Sequence, residues 1–175
     1  MVTQLEFRDT ENGFVVEGLE GYKFLDPKVM KWGETRLRFK GASGDKLVHT
    51  IAIPTPYVQD GAHSYKGLVA RYVLLRGWIA MLHAAPGGAH MLPEIDILST
   101  RGETFEVQPC TQHTVMTGPN AQFLTFIEGT PVPNPDKNGN DWWPADEKFT
   151  PWALSQTVDT VAAATGVPPW VLQTP

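Results

Sequence analysis

Few residues of this chain could do chemistry near neutral pH: five histidines, a single cysteine and scattered carboxylates. His113 stands first among them. It lies four residues after Pro109 in "VQPCTQHTVMTGPNAQFLTF", on a stretch that predicts a strand, then a turn and a second strand. A neutral imidazole aimed into a pocket can take up a proton or ligate a metal. The plainer alternative is a core histidine bonded to a backbone carbonyl. Upstream, "DGAHSYKGLVARY" holds His63, Tyr65, Lys66, Arg71 and Tyr72, a polar pocket rim or a solvated turn. Tyr72 follows Arg71 directly, so in a strand the two face opposite ways.

The elements that must position these side chains read as mainly β. "TRLRFKG" alternates Leu37 and Phe39 against Arg36, Arg38 and Lys40, a strand with one wet face. "LVHTIAIP" predicts another, ended by Pro54 and Pro56. Gly77 divides "LVARYVLLRGWIAML" into two strands, and "IDILSTRGETFEVQP" reads strand–turn–strand. Residues 1–34 read as an N-terminal arm or hairpin, 35–131 as the β body and 132–149 as a Pro/Trp-rich connection. Residues 150–166 read as one C-terminal helix, capped by Thr150 with Pro151 and ended by Gly166. Leu154, Val158, Val161, Ala162 and Thr165 form the face expected to pack on the β body.

Composition bounds the partners. A net charge of -5 and a pI near 5.5 argue against a nucleic-acid backbone as partner. No run of about 18 apolar residues is present, so no membrane span is expected. The N-terminus has acids early and no apolar signal core, which makes the cytoplasm the default location. Cys110 alone can form neither an internal disulfide nor a Cys-rich zinc site, and is expected to be buried and inert. Nucleotide-loop, dinucleotide, serine-hydrolase and zinc-protease motifs are absent from the sequence.

The order of "LLRGWIAM" and "GETFEVQPCTQHTVMTGPNAQFLTFIEG" resembles the two motifs of the cupin superfamily. Gly77 matches the turn glycine of the first motif; Gly102, Pro109, His113 and Asn120 resemble the second. Within the superfamily the chain looks most like the carbon–carbon-cleaving group that includes acetylacetone dioxygenase and 2,4'-dihydroxyacetophenone dioxygenase, over roughly residues 35 to 143. The resemblance implies a single cupin-like (double-stranded β-helix) barrel with an N-terminal arm and one C-terminal helix, commonly a homodimer. It also exposes a departure. Ser64 and Lys66 fall where the two metal histidines belong, and Arg71 where the carboxylate belongs; a one-residue shift brings His63 near a ligand position but supplies no Glu.

The expectation that follows is a metal-independent lyase, isomerase, decarboxylase or cyclase acting on a carbonyl or carboxylate compound, possibly aromatic. His113 would be its acid–base group, and Arg71 with Lys66 would stabilise an enolate. Tyr65, His63 and Tyr72 would bind substrate. Lys66 and Arg71 differ by an odd number, so a bulge at Gly67 is needed for them to share a face. No cofactor is favoured. The alternative is a non-haem iron dioxygenase, or one using another divalent metal, with His113, His63 and His83 as ligands; the third reading is a non-catalytic small-molecule binding barrel. His83 and His90 flank a Gly-rich loop and read as loop histidines, and His49 reads as a satisfied core residue. Glu128 and Glu94 are the carboxylates closest to the pocket elements, more simply exposed charges. Asp136, Asn138 and Asp141 lack the glycine and glutamate that a calcium loop needs.

Overall fold

The structure is a computed structural model and describes residues 6–10, 13–84 and 92–173. β1 (Glu6–Thr10) and β2 (Gly13–Glu17) form an isolated hairpin. There follow β3 (Lys23–Val29), β4 (Thr35–Lys40), β5 (Lys46–Ile51), and the short β6 (Tyr57–Val58) and β7 (His63–Ser64). The longer β8 (Leu68–Arg76), β9 (Ile79–Ala84), β10 (Glu94–Leu98), β11 (Thr104–Val107), β12 (Gln112–Thr117) and β13 (Gln122–Gly129) come next, then β14 (Trp143–Pro144). One sheet has the order β11-β8-β13-β5-β4-β3; the other has β10-β9-β12-β7-β14, with β6 also on β12. The strand pairings are antiparallel.

Gly77 accounts for the division of the longest apolar run. Its φ is +73°, and a Cβ there would stand 3.1 Å from the Cα of Ala121. The chain therefore turns at a point only glycine fits easily, and β8 and β9 enter different sheets. Strand alternation then sorts the side chains. Ala70, Tyr72 and Leu74 meet Ile79, Met81, Val115 and Phe123 between the sheets. Val73, Leu75, Leu124 and Phe126 point the other way, under Phe7 and Val16 of the β1–β2 hairpin. Ala80, Leu82 and Met116 form the outer face of the second sheet and are covered by the C-terminal helices.

The single helix expected over 150–166 is instead divided. α1 (Phe149–Leu154), α2 (Val158–Thr165) and α3 (Pro169–Gln173) are separate. Thr150 lies inside α1. Thr157, extended at φ -126° and ψ 170°, is the residue that caps, exchanging hydrogen bonds with Thr160 at the start of α2. That cap satisfies N–H groups a continuous helix would have used internally. Gly166 ends α2 in the left-handed conformation, as its position predicted. Val161 and Ala162 are buried, whereas Leu154 is exposed. The Trp78 indole N–H donates to the Leu172 carbonyl at 2.8 Å and ties α3 to the barrel wall.

Candidate active site at the barrel mouth

Register places three histidines side by side. His113 on β12 is the direct partner of His63 on β7 and of His83 on β9, which in turn faces Glu94 on β10. Val115 lies in the core between the sheets, so His113, two residues earlier, points inward too. The His63 and His113 rings stand 4.5 Å apart between centroids. His63 Nδ1 lies 2.9 Å from the Gly61 carbonyl, and His113 Nδ1 lies 3.1 Å from that of Thr111. A carbonyl only accepts, so each Nδ1 carries the hydrogen and each Nε2 keeps a lone pair. Both Nε2 atoms are buried with no partner among the described residues. Burial, the largest cause for each, lowers His63 to about 4 and His113 to about 3. Both are neutral acceptors at physiological pH.

Aromatic rings wall the pair. Tyr65 lies 4.8 Å from His63 and 5.7 Å from His113, and Tyr72 lies 6.1 Å from His113. Trp142 stacks on His63 at 5.4 Å. Burial raises Tyr65 to about 12 and raises Tyr72 as well, so both phenols stay protonated. Donors and acceptors are thereby separated by environment within one pocket. Tyr65 and Trp142 also line a cleft of about 840 Å³, whose charged lining mixes Lys28, Arg38, Lys46 and Lys137 with Asp45, Asp136 and Asp141. The histidine pair adjoins the cleft through those two rings, both of which contact His63.

The cations reach this space from strands where the sequence suggested a solvated face. Phe39 packs on the outer cluster, so Arg36 and Arg38 of β4 project from the face that closes the barrel. Arg38 pairs with Asp26. Arg36 donates from Nε to Glu34 at 2.5 Å; Glu34 is fully buried and also accepts from Tyr57 and Gln59. The Arg36 charge opposes protonation of His63 and favours ionisation of Tyr65 and Tyr72, so its field extends across the pocket. Sequence reasoning passed over Arg36 and Glu34. The available signal was an acid and an arginine two residues apart at the start of a strand, a pattern too common to select.

The other candidates divide. His63, Tyr65, Tyr72 and His113 come together. Arg71 does not join them: parity puts it on the outer face, over Phe126 at 5.5 Å and beside Glu128 at 3.8 Å. The strand runs unbroken from Leu68, so no bulge turns Arg71 inward. Lys66 sits outside as well, its ammonium 3.2 Å over the Trp143 ring. Its N–H and that of Gly67 donate to Asp141, which is thereby a loop clamp. His83 is inward but bonded to Asp96 at 2.6 Å. His90 lies outside the described residues. His49 bonds Gln122, yet its Nε2 lacks a partner. Cys110 is exposed, at φ +67°, contrary to the buried position expected, because the chain turns there. Asn120, at φ +53°, serves the β12–β13 turn rather than the pocket, and Asn138 is likewise a left-handed turn residue. Asp136 lies in the 3-10 turn Pro135–Lys137.

Two sheets closed in this way, with the carboxyl-terminal helices outside one of them, have clear structural neighbours. Oxalate decarboxylase from Bacillus subtilis, as a point variant, matches 83% of this chain with a TM-score of 0.52 at 13% identity. The fold is that of the cupins. The chain spans 36% of the decarboxylase's length. The capsular polysaccharide assembling protein CapF from Staphylococcus aureus matches 70% of this chain and 32% of its own, with a TM-score of 0.50 at 14% identity. A cupin domain of Drosophila melanogaster CENP-C matches 66% of this chain and 75% of its own, at a TM-score of 0.46 and 12% identity. At such identities the likeness is one of fold. No protein-family model matches the chain, and no curated protein does by sequence. The finer resemblance to carbon–carbon-cleaving dioxygenases finds no support among these neighbours.

Cupins commonly hold a metal with three histidines and a glutamate. Two buried imidazole lone pairs with pinned Nδ1–H groups match part of that set. The remainder does not fit. Tyr65 stands at the next inward position after His63, Ala70 and Tyr72 occupy the inward face of β8, and the Arg36 charge repels a dication. The four-ligand set cannot form from these residues.

Proposed function

We propose that this cupin is a small-molecule enzyme that moves protons on an anionic carbonyl or carboxylate compound without a metal at the histidine pair. What carries the reading is the pair of buried, unpartnered Nε2 lone pairs of His63 and His113 set against phenols held protonated. Groups whose environments push their pKa values apart are matched as base and acid. Neutral imidazoles with values near 3 and 4 are weak bases alone. An anion entering beside them favours the imidazolium and strengthens them, so substrate charge completes the base. His113 Nε2 then takes a proton from the carbon next to a carbonyl, and the carbon's electron pair moves to the carbonyl oxygen. Tyr72 or Tyr65 donates to that oxygen. Return of the proton to another carbon gives an isomerase; loss of a leaving group gives a lyase. Arg36 and Arg38 supply the positive field for the substrate's carboxylate, in place of Arg71 and Lys66.

The test is solvent deuterium exchange, followed by proton NMR, into a panel of 2-oxo and 2-hydroxy carboxylates in the presence of a chelator. Exchange should persist with chelator and fall by about 10²- to 10⁴-fold in His113→Asn and Tyr72→Phe. Exchange that vanishes with chelator, or that His113→Asn leaves intact, overturns the reading. Tight uptake of a panel member with no exchange would make the chain a binding module instead.

A further inference from the structure

A second cluster of donor atoms stands at the end of the histidine row. On β10, Leu98 lies in the core between the sheets, while Ile95 and Ile97 pack under the C-terminal helices. Glu94 and Asp96 share the face of Leu98, so both carboxylates project toward the barrel mouth rather than away from it. His83 faces them from β9, two residues after the core residue Met81. One donor atom from each of His83, Glu94 and Asp96 falls within 4.8 Å of the others.

We propose that His83, Glu94 and Asp96 form a binding site for a divalent transition-metal ion, separate from the His63–His113 pair. Two carboxylates beside an imidazole carry negative charge that a dication balances. The His83 Nε2 to Asp96 Oδ2 contact of 2.6 Å holds the two donor atoms at a spacing bridged by one hydrogen, which a metal would replace. Nitrogen with two oxygens suits manganese, iron or zinc better than calcium or magnesium, which prefer oxygen alone. The three side chains come from two paired strands, and Phe105 packs on the His83 ring at 4.9 Å.

A second observation points to a ligand here. His113 is the register partner of His83, is fully buried, and leaves its Nε2 without a hydrogen-bond donor. Burying an acceptor unpaired is unfavourable by itself, so something that donates is expected nearby. A cation held by His83 carries water, a strong donor, and His83 is near enough to His113 to act on its charge. The competing explanation is that inward charges on β10, an edge strand, keep a further strand from pairing.

The experiment separates the two. Full-length protein, stripped with chelator and exchanged into buffer, is titrated with Mn²⁺ by loss of the free-ion EPR signal and with Zn²⁺ by calorimetry. One saturable site per chain is expected. His83→Asn and the pair Glu94→Gln/Asp96→Asn should weaken it by at least about 10- to 100-fold, with unchanged circular dichroism. His63→Asn should bind as the parent does. No saturation up to about 1 mM, or binding indifferent to Glu94→Gln/Asp96→Asn, overturns the site. Binding lost in His63→Asn but kept in Glu94→Gln/Asp96→Asn would move the metal to the histidine pair, overturning this site and the metal-free reading together. Failure of deuterium exchange alone leaves the metal site standing, because it does not rest on that reading.

Discussion

The histidine pair makes the protein's stability depend on pH in a window where few other groups titrate. Unfolded, His63 and His113 take the ordinary value of 6.5; folded, burial holds them near 4 and 3. Between pH 6.5 and the folded values the unfolded chain binds more protons. Stability is therefore complete above about pH 6.5 and is lost as pH falls toward 4 and then 3. At pH 5 each unfolded histidine is almost fully protonated while each folded one is not, a difference of about 1.5 pKa units. At about 1.36 kcal/mol per unit that is about 2 kcal/mol for each, or about 4 kcal/mol for the pair. Against a typical total of about 5–15 kcal/mol the loss is large. Carboxylates held low, Asp26, Asp141, Asp146 and Glu103, lose their contribution only at lower pH. His49, also lowered by burial, adds loss of the same sign. Urea unfolding at pH 8, 7, 6 and 5 gives the profile. His113→Asn should remove about 2 kcal/mol of the pH 8 to pH 5 change, and His63→Asn a similar share. If either asparagine variant is unfolded, carbon–proton NMR titration of the parent's histidines answers instead: two should stay neutral down to pH 5. A profile that His113→Asn does not flatten, or resonances assigned to His63 and His113 that titrate near 6.5, refutes the argument.

Arg36→Met leaves the fully buried Glu34 carboxylate without its cation and should cost about 3–5 kcal/mol in urea unfolding, with Glu34→Gln in the same chain restoring part of it. Arg71→Ala should leave deuterium exchange unchanged, since its guanidinium lies on the outer face, and should cost under about 1 kcal/mol of stability. Gly118→Ala places a Cβ 2.4 Å from the Trp78 indole nitrogen and displaces the ring that bonds Leu172. It should destabilise by about 1–3 kcal/mol, with amide exchange rising first in Pro169–Gln173.

Local rules in the chain carried much of this architecture. Gly77 marks a turn in any fold, because only glycine takes its positive φ without strain beside Ala121. Alternation in β8 puts Tyr72 and Arg71 on opposite faces whatever lies beyond them, and Gly166 stops a helix by the same local logic. His113 was legible as a pocket residue for that reason: it follows a turn and alternates with Val115. Alternation, however, says that two faces exist and not which one is inside. Arg36, Arg38 and Lys40 looked like the wet side of β4, yet the hydrophobic Phe39 serves an outer cluster under the N-terminal hairpin. That hairpin buries the other face, which leaves Arg36 on buried Glu34 and Arg38 on the lining of the cleft. Nor does spacing bring His63, His83 and Glu94 into register with His113. Those contacts join strands distant in sequence, and backbone hydrogen bonds across three strand pairs decide them.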